Sequence, residues 1–120
     1  MLVLSSREAF TAEAVFERMF PANEDGPGAR EIGVVTYLDW ALAGEYREHL
    51  PAYRNGLALL DSASQSRFGA RFASAAEPDQ DELIGDLERG EIPGWVMPDQ
   101  ESFFELLRSH LQEGLFSDPA

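Results

Sequence analysis

Apolar residues recur along this chain three and four positions apart, and no stretch alternates with the two-residue period of a half-buried strand. A first helix would carry Ala12, Val15, Phe16 and Met19 on one face, with Thr11 placed to cap its start and Pro21 to end it. Residues 21–28, Pro-Ala-Asn-Glu-Asp-Gly-Pro-Gly, satisfy every turn preference and predict an irregular loop. A second helix over 34–43 would bury Val34, Val35, Leu38, Ala41 and Leu42 and close at Gly44. The third runs over 51–68, with Pro51 in its first turn, Tyr53, Leu57, Leu60 and Phe68 facing inward, and Gly69 at its end. A fourth follows Pro78, with Leu83, Ile84 and Leu87 inside and Gly90 after it; Glu77, Asp79, Asp81 and Glu82 oppose the positive end of its dipole. After a compact apolar loop over 92–98, Asp99 caps a last helix over 100–115. The pattern predicts an all-α fold, a compact single-domain bundle of about five helices over residues 1–120, with an irregular Pro/Gly-rich loop after the first helix.

The last helix is the least ordinary. Phe103, Leu106, Leu107, Leu111 and Leu115 share one wide arc, yet His110 and Gly114 sit at its middle. Glycine inside a helix costs roughly 1 kcal/mol relative to alanine, so Gly114 predicts a close backbone approach by a neighbour, in this chain or another. Trp40 falls nearly opposite the buried face of its helix, on the side of Thr36 and Asp39. It either anchors a partner or is covered by another helix. Trp95, in the loop after Pro93 and Gly94, either lids the core or meets a partner.

Charge narrows the function classes. Twenty-two acidic residues face nine basic ones, a net charge of −13, and every basic residue is an arginine standing alone in the sequence. Nucleic acid and anionic membrane surfaces would be repelled. The missing lysine fits a GC-rich bacterial genome. With no cysteine, disulfides, thiolate metal sites and cysteine nucleophiles are excluded. The amino-terminal residues lack a basic region, a long apolar run or twin arginines, and no stretch approaches the length of a membrane span. The expectation is a soluble chain without membrane insertion, cytoplasmic as it stands, or periplasmic if a signal was removed or another subunit carries it.

Catalytic sets are sparse. His49 and His110 have no histidine or glutamate at metal-ligand spacing on the same face. His110 and Glu113, three apart, could touch, which more simply gives a satisfied hydrogen bond than an active site. Residues 77–82 lack the glycine and ligand spacing of a calcium loop, and residues 23–26 are better read as a turn. No glycine-rich strand-to-helix turn supports nucleotide binding, and no serine has a nucleophile elbow. No catalytic, cofactor-binding or metal-binding residue is expected in this chain.

Three segments carry a family resemblance: Pro27-Gly28-Ala29-Arg30-Glu31-Ile32-Gly33-Val34 after its loop, the middle segment Tyr53-Arg54-Asn55-Gly56-Leu57 through Ser66-Arg67-Phe68-Gly69, and the closing run from Leu107 through Phe116, Ser117, Asp118 and Pro119. Together they resemble the gluconate 2-dehydrogenase subunit 3 family over nearly the whole chain. The resemblance implies a small helical chain without a cofactor of its own. Its partner would be a large FAD-binding flavoprotein of the glucose–methanol–choline (GMC) type that oxidises sugars, sugar acids or polyols and passes electrons on, often to a cytochrome c. The small chain would bind and stabilise the large one and assist its maturation. Two departures stand out: family members usually continue past the Asp-Pro pair with an aromatic residue and glycines, and exported ones carry a twin-arginine signal. The candidate partner-binding residues are Arg30, Trp40, His110, Glu113, Phe116 and Asp118. Two alternatives belong to other classes: a self-contained small hydrolase or lyase using His110 and Glu113, and an acidic adaptor or inhibitor of a basic protein.

Overall fold

The structure, a computed structural model, describes residues 1–116. Among them are six α-helices and no strand: α1 (Ser6–Met19), α2 (Ala29–Ile32), α3 (Val34–Ala43), α4 (Leu50–Phe68), α5 (Glu77–Arg89) and α6 (Gln100–Phe116). Short 3-10 turns at Arg47–His49 and Phe72–Ser74 lead into α4 and α5. The fold is all-α, five long helices and one short one around a single core. Val15, Phe16, Leu38, Leu42, Tyr53, Leu57, Leu60, Leu83, Leu87, Phe103 and Leu107 are the fully buried centre. No helix among the described residues is long and apolar enough to cross a membrane.

The helix starts follow their caps. α1 begins earlier than the Thr11 reading, because Ser5 and Glu8 form a capping box: the Ser5 hydroxyl accepts from the Glu8 N–H at 3.1 Å, and the Glu8 carboxylate accepts from the Ser5 N–H at 2.8 Å. Thr11 is therefore interior to the helix and buried, its Oγ1 lying 3.0 Å from both Arg7 O and Asp61 Oδ2. α2 escaped the sequence reading because four residues are too few to show a period. Asp99 does cap α6, accepting from the Ser102 N–H at 3.0 Å. Gly69 and Gly90 end α4 and α5 with φ of 74° and 71°, left-handed values that L residues rarely adopt.

Polar side chains then bolt the elements together. Glu17 accepts from the Ala22 and Arg30 N–H groups at 3.1 and 2.9 Å and so staples the loop between α1 and α2. Inside that loop Asn23 and Gly26 exchange backbone bonds, which makes 23–26 the turn its composition predicts. Asp39 is a correction. It is buried rather than on the outer side of α3, and its carboxylate takes the N–H groups of Leu2, Val3 and Leu4 at 2.6–2.9 Å. Those three bonds hold its charged form and lower its pKa against the opposing cost of burial.

Candidate functional site

The residues singled out in α6 open onto two groups, one inside the bundle and one at its surface. His110 is only 3% exposed. Its Nδ1 lies 2.6 Å from the Tyr53 hydroxyl of α4, and its ring is 4.9 Å from Tyr46 and 5.9 Å from His49, centroid to centroid. Although their spacing would let them touch, no direct hydrogen bond joins His110 to Glu113. Both Glu113 oxygens are taken by tyrosines instead, Tyr37 of α3 at 2.6 Å and Tyr46 of the α3–α4 connection at 3.0 Å. Helical geometry explains the split: a three-residue offset puts Glu113 nearer the rim of the apolar arc, where phenol hydroxyls reach it, while His110 stays at its centre.

The electrostatics follow from burial and these bonds. Desolvation pulls the His110 pKa below the ordinary histidine value; the Glu113 carboxylate pulls the other way and His49 adds to the lowering. Burial raises the Tyr53 pKa well above the phenol range, so its hydroxyl stays protonated; it shares a hydrogen bond with Nδ1 and lies 3.5 Å from the Leu106 carbonyl, and which partner donates across the Tyr53–His110 bond depends on the imidazole tautomer. The Tyr37 hydroxyl bond lowers the Glu113 pKa despite partial desolvation. Burial and the same bond raise that of Tyr37, and the bond to Glu113 raises that of Tyr46. These bonds fasten α3, α4 and α6 together. No group of three or more His, Asp or Glu among the described residues is arranged to hold a metal ion.

Gly114 explains the other oddity of α6. A Cβ there would stand 2.9 Å from Val34 Cγ1 and 3.3 Å from the Tyr37 ring. The neighbour that needs the space is α3 of the same chain. At the surface beside this seam, Trp40 is 62% exposed, its ring 6.3 Å from that of Tyr37, and Phe116 is 86% exposed two residues beyond Gly114. Arg30, at the start of α2, is exposed and pairs with Glu13 at 3.1 Å. Asp118 lies outside the described residues.

The family model described as gluconate 2-dehydrogenase subunit 3 matches residues 6–120, all but the first five positions. The chain belongs to the gluconate 2-dehydrogenase subunit 3 family. No curated protein and no solved structure matches it. The family is one of accessory subunits of a dehydrogenase complex, so its motif positions can be set against the geometry. Of those in α6, His110 points inward, Glu113 joins α6 to α3 and its connection, and Phe116 is largely exposed. His110 can therefore shape a docking surface only through the helices it positions.

Sequence reasoning missed Tyr37, Tyr46 and Tyr53 as members of the cluster. Tyr53 was legible as a core residue but not as the partner of a histidine 57 positions away. Tyr46 lies in a connection that carried no periodic signal. Trp95 partly lids the core against Phe103, its ring 6.1 Å away and its N–H donated to the Pro98 carbonyl. The neighbouring Val96 and Met97 are exposed.

Proposed function

We propose that this chain is the non-catalytic small subunit of an FAD-dependent dehydrogenase, binding and stabilising a large GMC-type catalytic chain and assisting its maturation. The family match across residues 6–120 carries this reading. FAD and the oxidation of a sugar, sugar acid or polyol belong to the large chain, and electrons leave the complex for an acceptor such as a cytochrome c. The buried cluster supports a structural role for α6, because His110 spends its Nδ1 on a tyrosine rather than on a reacting group. Large apolar side chains left in solvent beside the α3–α6 seam, Trp40 and Phe116, supply the surface a partner would cover.

Co-expression tests the proposal. The large chain made together with this one should be recovered in higher yield, with more bound flavin and higher dehydrogenase activity, than the large chain made alone. Equal yield, flavin content and activity in the two preparations would refute it.

A further inference from the structure

The arginines of this chain are mostly spoken for. Arg18, Arg30, Arg54, Arg67, Arg89 and Arg108 each have a carboxylate within 4 Å. Among the described residues, Arg7, Arg47 and Arg71 pair with none, although acidic residues outnumber basic ones 22 to 9. Two guanidiniums that share one depression without a carboxylate partner among the described residues keep their donors available to a ligand. Arg7 of α1 and Arg71, just before the second 3-10 turn, line the same two adjoining hollows, of about 390 and 590 Å³.

The remaining groups of this groove show what it can accept. Asp61 lines both hollows with the two arginines; it accepts from the Phe72 N–H at 3.1 Å and lies 3.0 Å from the Thr11 hydroxyl, so its carboxylate is held in the fold and its charge stays in the groove for any ligand to meet. Glu13 is occupied by Arg30 at the rim. Phe10, 65% exposed, forms a wall of the smaller hollow beside Arg7. A guanidinium presents a planar fork of donors that matches a carboxylate. Arginine beside an aromatic ring is the composition of energetically dominant interface positions. The net charge of −13 repels an acidic partner at long range, yet beyond about 8 Å that field is screened at physiological salt, and local pairs decide contact.

We propose that this groove receives an acidic segment of the large chain, an Asp or Glu carboxylate bridging Arg7 and Arg71 while an apolar neighbour packs on Phe10. The proposal rests on the small-subunit reading above. A protein segment suits the site better than a free anion, because the groove is open and one wall is an aromatic ring, which adds nothing for a small hydrated ion. Arg30 on its rim ties the groove to the family motif that opens α2.

The test compares affinity of the purified chain for the large chain in wild type, Arg7→Glu, Arg71→Glu and Arg47→Glu, all changing charge equally. Each groove variant should weaken the dissociation constant by roughly tenfold or more, a change of about 1.4 kcal/mol, and Arg47→Glu by no more than about twofold. Thermal midpoints of the isolated variants serve as the folding control. Should either reversal unfold the chain, Arg7→Gln and Phe10→Ser take its place with the same expectation. Wild-type binding with groove variants unchanged, or all three reversals weakening it equally, overturns the groove assignment and leaves the small-subunit reading standing. No wild-type binding overturns both. Stabilisation of the isolated wild type by inorganic phosphate, lost in Arg7→Glu while complex affinity is unaltered, makes the groove a small-anion site and overturns the docking proposal.

Discussion

Burial presses the His110 imidazole toward its neutral form, held at Nδ1 by its hydrogen bond with the Tyr53 hydroxyl. In the unfolded chain the same side chain takes up a proton near the ordinary value of about 6.5. Between that value and its lowered folded one, the unfolded state binds more protons, so acid favours unfolding. The contribution of neutral His110 is complete above the unfolded value and lost progressively as pH falls below it. Glu113 behaves in the same direction but lower down: its folded pKa is depressed, so its contribution is lost as pH falls from about 4.5 through the folded value. Urea midpoints should therefore begin to drop between pH 6.5 and 5 in wild type. His110→Gln, which can still accept from Tyr53 but cannot titrate, should be nearly flat over that interval while keeping the steeper loss below about 4.5. An equal slope in both proteins between pH 6.5 and 5 would remove His110 as its source.

Two glycines let helices approach closely, and they differ in how much room their neighbours can yield. A Cβ on Gly56 of α4 would enter the ring of Phe103, itself buried against Tyr53 at 5.7 Å and Trp95 at 6.1 Å. On Gly114 it would meet a Val34 methyl group at 2.9 Å and the Tyr37 ring at 3.3 Å, both side-chain atoms at a less severe overlap. Alanine returns roughly 1 kcal/mol of helix propensity in either place. Overpacking should exceed that gain at both sites, leaving Gly56→Ala destabilised by about 3 kcal/mol and Gly114→Ala by about 1 kcal/mol. Equilibrium urea unfolding ranks them, and a Gly56→Ala protein as stable as wild type would mean the ring can move aside. These glycines also mark how far the chain could be read from its residues. Helix ends were legible where a local device sets them, as at Gly44, Gly69, Gly90 and Asp99. The start of α1 was missed although its capping box stands in the sequence, because Thr11 lay closer to the apolar run. Asp39 was misplaced because what buries it, three N–H groups from residues 2–4, is distant in sequence. Gly114 announced a close approach, but only the fold identifies α3 as the neighbour. The His110 site was legible by position and not by partner, since Tyr53, Tyr46 and Tyr37 arrive from other elements.

At the scale of the whole molecule, the core is satisfied from within while the surface beside α3 and α6 is not. No buried side-chain nitrogen or oxygen among the described residues lacks a hydrogen-bond partner. Trp40 and Phe116 are the reverse case: large apolar groups, 62% and 86% exposed, with Trp40 resting one side of its ring near Tyr37. Removing such a group costs the isolated chain little, because most of it stays in water. If the large chain covers the seam, the same truncation costs binding the transfer free energy of a buried aromatic, roughly 2 kcal/mol or about thirtyfold in Kd. Trp40→Ala and Phe116→Ala should thus leave the thermal midpoint of the isolated chain within about 2 °C of wild type, a shift below the usual effect of 1 kcal/mol. Both should weaken the complex in titration calorimetry. A core residue would show the opposite pattern, with stability falling in isolation and affinity changing only through misfolding. Unaltered affinity in both variants would place the partner on another face, and lowered midpoints would mean that these rings serve the fold after all.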